Sequence, residues 1–342
     1  MKNLFNRGNN KQLQNNVLLI ILLILIITLT QFNSNSQAAS EVVVDYDKLP
    51  AIVIMYDDGF MEDYTKAFPI HQEYDVPGMS AINTAHLGEE DRLNWEQISE
   101  MTDWGWEIAS HGHRHSALII NSIVRPADKG DNELYLNNPG LITEGYEYKI
   151  YHRDKGLQED FKVEELIPGK GVKISPDLAA SYPAENTFIK PNERSLFTEI
   201  IYSQEILTER GYQIDFFVYP YNGFFQEVVE IVAEGYLAAR AGHDHKKSFP
   251  EAFLNTEPFE LYNLRGTSFD GDELQKDHIT ELIQAALDQR ALLIFYGHPQ
   301  RDEFNKEYLK HIIYQAEKLE VPIKSLSDII YEERDILDIL TE

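Results

Sequence analysis

The sequence predicts an α/β fold assembled from parallel βαβ units. Short β-branched runs alternate with segments of helical period, first between Glu41 and about residue 118 and again after Arg194. Several of the helical segments are stopped by glycine, as at Gly211 and Gly235. The chain of 342 residues is long enough for one large α/β domain carrying an insertion.

Residues 1–38 read as a signal peptide. Lys2, Arg7 and Lys11, with no acidic neighbour, lead into the apolar run "VLLIILLILIITLT", which at 14 residues is short for a spanning helix. Ser36-Gln37-Ala38 then offers a small-x-small site, so cleavage is expected near Ala38. An uncleaved N-terminal anchor is the alternative, and would be the chain's only membrane contact. Export to a secreted, periplasmic or cell-surface location is expected.

Residues 39–342 form the expected domain. It opens with strand "AIVIMY", helix Glu62 to Gln72, strand "GMSAIN", helix Asn94 to Trp104 and strand "WEIAS". From about 121 to 192 the rhythm fails, and Gly, Pro, Asn, Tyr and charge dominate. This is read as an irregular, partly β insertion in which "YEYKIYH" alternates like a hairpin strand. Its tyrosines suit either sugar stacking or packing onto the rest of the domain. The rhythm returns with helix "SLFTEIIYSQEILTER", strand "IDFFVYP", helix "QEVVEIVAE" and strand "YLAAR". It closes with helix "DELQKDHITELIQAALDQR", strand "ALLIFYG", helix "NKEYLKHIIYQAEKLE" and strand "VPIKSL".

The chain has no cysteine, so thiolate chemistry and disulfides are excluded and any metal must be held by His, Asp or Glu. The formal charge is -27, and near -30 once the basic leader is removed. Such a field repels nucleic acid and anionic lipid, while it tolerates neutral or cationic glycans.

The chemistry-bearing residues follow apolar strands. Asp57 and Asp58 close "IVIMYDDGF", at the strand end where parallel α/β folds build sites, although Asp-Gly is also an ordinary turn signal. In "HGHRH", His111 and His115 are spaced i and i+4, which would put both imidazoles on one side of a helical turn, with His113 pointing elsewhere. Together with one Asp they would make three ligands and leave a position open for water. A polar surface loop is the plainer reading of the same run.

Taken in order, "YDDG", "LNWEQISEMTDWGWEIASHGHRH", "FFVYPYNG", "EGYLAAR" and "LLIFYGH" resemble the successive motifs of the polysaccharide deacetylases, the NodB-homology group of carbohydrate esterase family 4. The resemblance covers roughly residues 48 to 118 and 194 to 330 and leaves the insertion unexplained. It implies a distorted (β/α) barrel of seven or so strands that hydrolyses N-acetyl or O-acetyl groups on a polysaccharide with a divalent metal. It assigns the metal ligands to Asp58, His111 and His115, the general base to Asp57, the general acid to His298 and an oxyanion-binding amide to Tyr221. Zn²⁺ is the default ion, with Co²⁺, Ni²⁺ or Mn²⁺ as alternatives for two imidazoles and a carboxylate.

Two departures stand out. Gly112 occupies a position where the family often has Ser or Thr. The arginine that often begins the third motif and steadies the base falls here at Val218, with Arg240 or Arg265 as possible substitutes. Two other functions are therefore carried beside the deacetylase: a non-catalytic glycan-binding protein on the same scaffold, and a hydrolase of another carbon-nitrogen amide bond.

Overall fold

A computed structural model describes residues 42–271 and 274–332. The signal-peptide segment, residues 1–38, lies outside the described residues. Chain contacts define one large body, residues 44–331, flanked by the two chain ends, of which Val42, Val43 and Glu332 are extended.

Seven parallel strands close on one another to form a barrel. In spatial order they are Ala51–Tyr56, Met79–Ile82, Glu107–Ser110, Phe216–Val218, Ala238–Ala241, Leu264–Ser268 and Leu292–Gly297, and the last pairs back to the first. The closing register runs from Leu292 beside Ala51 to Gly297 beside Tyr56. Spatial order follows chain order, as repeated right-handed βαβ crossovers produce. Every residue of Ala51–Tyr56 and of Ala238–Ala241 is buried. This is the pattern of strands covered by a packed interior on one side and helices on the other. A short antiparallel strand, Leu254–Asn255, lies outside the ring against Leu292–Gly297.

The helices form where the sequence places them, with local detail that apolar period alone does not contain. Trp95–Asp103 starts with a capping box: Asn94 Oδ1 accepts from the Gln97 amide and Gln97 Oε1 from the Asn94 amide, both at 3.0 Å. The helix after Glu62 begins as a π turn, Asp63–Ala67, before continuing as Phe68–Tyr74. The segment after Asn192 is likewise split, with a π turn at Thr198–Tyr202 between Glu193–Phe197 and Ser203–Thr208. Gln226–Gly235, Lys276–Gln289 and Lys306–Lys318 complete the outer layer.

Two expectations need correction. "VPIKSL" forms no strand; Ile323 makes only an isolated bridge to Ile52, because the seven-stranded ring is already closed. The sixth barrel strand, Leu264–Ser268, was not read from the sequence, since Arg265, Gly266 and Thr267 break its apolar run.

Residues 121–191 build a second, antiparallel sheet. Its six strands lie in the order Asn121–Ser122, Thr187–Pro191, Glu147–His152, Gln158–Ile167, Gly171–Ser175 and Glu133–Tyr135. Burial alternates along Glu147–His152 and Thr187–Pro191. Tyr148, Ile150, Phe161, Val163, Val172 and Ile189 pack a core separate from that of the barrel. Among the described residues no helix is long and apolar enough to cross a membrane.

Candidate active site and metal centre

Because the barrel strands are parallel, their C-terminal ends share one rim, and the segments that follow them converge there. Asp57 and Asp58 follow the first strand, His111 the third, Tyr221 the fourth, Asp270 the sixth and His298 the seventh. Asp57, His111, His115, Tyr221, Asp270 and His298 line a cavity of about 740 Å³. A second cavity of about 690 Å³ shares the walls Tyr221, Asn222, Ser268 and Tyr296 with it.

Asp58, His111 and His115 each offer one donor atom, all within 4.8 Å of one another. Asp58 Oδ1 lies 3.5 Å from His111 Nε2 and 3.3 Å from His115 Nε2. The His111 Nδ1 contacts the Val218 carbonyl at 2.8 Å. A carbonyl only accepts, so Nδ1 carries a hydrogen and Nε2 is the atom turned to Asp58. Burial lowers the His111 pKa, but the hydrogen bond to Asp58 and the charges of Asp57 and Asp58 outweigh it, so Nε2 shares with Asp58 a proton that a bound metal would displace. Gln300 Nε2 donates to Asp58 Oδ2 at 3.0 Å, and Arg92 donates to the Asp58 carbonyl at 2.9 Å. Burial alone would raise the Asp58 carboxyl, but its hydrogen bond to His111 and the charges of His111, His115 and His298 hold it well below the usual carboxylate value. Burial, together with the neighbouring His111 charge, lowers His115 to about 4, so that it is neutral near pH 7. Two imidazole nitrogens and one ionised carboxylate fit a divalent ion with an open coordination position.

The route by which His111 and His115 meet differs from the sequence expectation. The segment is a loop, not a helical turn, with Gly112 at φ 83° and His115 at φ 57°. His113 points away, bonded to Thr84 Oγ1 at 2.9 Å and packed against Tyr202.

Asp57 faces a buried guanidinium. Arg240 Nη2 donates to Asp57 Oδ1 at 2.6 Å and contacts Oδ2 at 2.5 Å, and Arg240 is 1% exposed. Arg240 stands beside Val218 in the parallel register, so the cation missing at 218 comes from the adjacent strand. Arg265 points elsewhere, to the Leu254 carbonyl and to Glu260 and Asp244. The Arg240 guanidinium also lies 4.1 Å from the Tyr296 ring centroid and donates to Asn222 Oδ1 at 2.7 Å. Burial pushes the Asp57 carboxyl up, but Arg240, His111 and His298 outweigh it and hold it below its ordinary value.

His298 is oriented by Asp270. Its Nδ1 lies 2.5 Å from Asp270 Oδ2, and its amide donates to Asp270 Oδ1 at 3.0 Å. The other ring nitrogen, Nε2, lies 3.9 Å from Asp57 Oδ2. Tyr221, at φ 56°, sits in the short 3₁₀ turn Pro220–Asn222, where a first-turn amide has no acceptor within the helix. Its ring packs 4.5 Å from His115 and is half exposed.

Asp270, Asn222 and Gln300 were not singled out in the sequence. Asp270 carried a usable signal, a carboxylate just past a strand end, but that strand was itself hidden. Asp58, His115, Tyr221 and Asn222 all hold positive φ without being glycine. Such strained backbone clusters at functional sites and leaves no compositional mark.

A model of the family described as polysaccharide deacetylase matches residues 46–139. The poly-beta-1,6-N-acetyl-D-glucosamine N-deacetylase of Staphylococcus aureus (strain MRSA252) is 28% identical over 167 residues, covering 41% of this chain and 58% of the relative. The enzyme of that name from Staphylococcus epidermidis is 26% identical with the same coverage. The match thus spans little more than half the length of these relatives. Among solved structures, a peptidoglycan N-acetylglucosamine deacetylase gives a TM-score of 0.46 at 12% identity, covering 85% of this chain and 93% of that one. The Streptococcus pyogenes deacetylase PplD in complex with acetate gives 0.38 at 15% identity, covering 64% and 68%. Over residues 46–139 the chain is thus similar to the polysaccharide deacetylases, in keeping with the NodB-homology resemblance of its motifs. Its seven parallel strands close into a barrel of the (β/α)7 type.

Proposed function

We propose that this protein is an exported, metal-dependent deacetylase that hydrolyses N-acetyl groups on a glucosamine-containing polysaccharide, with O-acetyl groups as a second possible target. The observation that carries the reading is the convergence of three functions on one rim: the Asp58, His111 and His115 donor set, the Asp57 and Arg240 pair, and the His298 and Asp270 pair. The similarity to poly-beta-1,6-N-acetyl-D-glucosamine N-deacetylases supports N-acetylglucosamine as the unit. The neighbouring cavity, sharing a wall with the first, supports a substrate longer than one sugar.

Asp58, His111 and His115 would hold the ion, with Zn²⁺ the default. When bound, it would polarise the acetyl carbonyl and acidify a water molecule. Asp57, kept ionised by Arg240, takes the proton from the attacking water. The Tyr221 amide donates to the oxygen on which negative charge develops. His298 protonates the leaving nitrogen, with Asp270 fixing its ring so that Nε2 is the atom facing substrate. Carbon–nitrogen cleavage then yields acetate and a free amine.

The missing third-motif arginine, the main ground for a binding-only protein, is offset by Arg240. Acetate release from N-acetylglucosamine oligomers with β-1,6 and β-1,4 linkages, and from acetylxylan, tests the proposal. Asp57→Asn and His298→Ala should each lower release about 10²- to 10⁴-fold, the usual loss on removing a general base or acid. Full activity in either variant would overturn the assignment of that residue, and no release by wild type from any of these would overturn the substrate class.

A further inference from the structure

The loop that carries His111 and His115 is held from two sides. On one side it is anchored by the segment after the second barrel strand. Asn83 Nδ2 donates to the His111 carbonyl at 2.6 Å, and the Thr84 and Ala85 amides donate to the Gly112 and His113 carbonyls at 3.3 and 2.8 Å. These contacts hold the loop's carbonyls, and on its other side a buried carboxylate bonds its backbone.

That carboxylate is Glu199, fully buried in the π turn Thr198–Tyr202. Its Oε1 accepts from the Arg114 amide at 2.9 Å and from the Tyr146 hydroxyl at 2.6 Å. Its Oε2 is buried without a hydrogen-bond partner among the described residues, 2.3 Å from where a Cβ on residue 112 would stand. Gly112 is thus required twice, by its φ of 83° and by the oxygen in the space a side chain would take. Glu199 occupies that space and bonds the amide two residues on, gripping the backbone between the two ligands.

Tyr146 belongs to the six-stranded insertion, and its neighbours reach the same loop. Arg114 Nη1 donates to the Glu144 carbonyl at 3.2 Å, and Ser116 Oγ donates to Thr143 Oγ1 at 2.7 Å. We infer that Glu199 is a positioning residue for the ligand loop and that the insertion, through Tyr146, holds Glu199 in place. The inference rests on the reading of Asp58, His111 and His115 as metal ligands. It gives the insertion a task that sequence comparison does not supply: fixing the spacing of two ligands from behind.

Zn²⁺ titration of metal-stripped protein by calorimetry, with melting temperature followed in parallel, provides the test. Groups that orient ligands from behind commonly change metal affinity about 10- to 100-fold when removed, so Glu199→Ala should weaken Zn²⁺ binding at least about tenfold. Glu199→Gln keeps the Oε1 acceptor and should stay close to wild type. Tyr146→Phe, which deletes one hydroxyl, should fall between them and serves if Glu199→Ala fails to fold. Gly112→Ala should cost less affinity in a Glu199→Ala background than in wild type, because the steric conflict is gone while the backbone strain is common to both. Wild-type affinity in Glu199→Ala or Tyr146→Phe, with only melting temperature lowered, would reduce Glu199 to a structural residue and overturn the inference. Wild type that binds no Zn²⁺ would overturn the ligand reading itself, and this inference with it.

Discussion

The barrel and the insertion are both sheets, yet they solve burial in opposite ways. Barrel strands are buried on both faces, while Glu147–His152 and Thr187–Pro191 bury only alternate residues. A ring of parallel strands brings its C-terminal ends to one rim, so side chains from distant parts of the sequence can meet. An antiparallel sheet has no such common end, and this one reaches the ligand loop through Tyr146, Thr143 and the Glu144 carbonyl. On the proposed reading, the barrel supplies the reacting groups and the insertion braces the loop that carries two of them.

The largest effect expected from breaking this division is at Arg240. Arg240→Leu leaves Asp57 as a buried carboxylate without its cation, and losing one partner of a buried pair costs about 3–5 kcal/mol. Denaturant unfolding should show that loss, and acetate release should fall with it, since an Asp57 that binds a proton in place of its lost cation cannot accept one from water.

Next come the two cores. Ile54→Ala in the barrel and Ile150→Ala in the insertion each truncate a fully buried side chain, and each should cost about 2–5 kcal/mol. Below the unfolding transition Ile150→Ala should keep its pH–rate profile, because no reacting group lies in that sheet. A shifted profile would show that the two regions are not divided as described.

A smaller, pH-dependent effect is expected at Asp63, which sits in the other π turn and whose Oδ1 is buried without a hydrogen-bond partner among the described residues. Burial pushes its carboxyl well above the ordinary 3.8, against the hydrogen bond from Ser80 at 2.8 Å. A raised folded pKa means that the protonated fold is favoured. Its contribution is complete below the unfolded value of 3.8 and is lost as pH rises through the folded value. Asp63→Asn should remove that loss, so its melting temperature should gain on wild type as pH increases; a constant difference across pH would show that Asp63 does not titrate between the two states. At the small end, Lys173→Ala breaks an exposed pair with Glu165 on the insertion and should leave melting temperature unchanged.

Much of the barrel was legible because buried parallel strands read as apolar runs bounded by helices. Leu264–Ser268 was not, since Arg265 and Gly266 interrupt it; Gly266 is small because a Cβ there would stand 2.8 Å from Arg240 Cδ. Arg240 could be named as a candidate, but only the register beside Val218 decides it over Arg265. Asp270 was hidden with the strand that precedes it. The insertion showed itself as a broken rhythm, and its antiparallel order depends on pairings between residues far apart in sequence. Glu199 was the least legible, because it sits within a helical segment and its role depends on an absent side chain at Gly112.

The central claim is that Asp58, His111 and His115 hold a catalytic ion. The most direct measurement is metal content and acetate release on the same samples of wild type and Asp58→Ala, before and after chelation and reloading with Zn²⁺. The account predicts about one ion per wild-type chain, as a single three-ligand site would bind, with release lost on chelation, restored by Zn²⁺ and absent in Asp58→Ala. Release that survives both metal stripping and the Asp58→Ala substitution would contradict it.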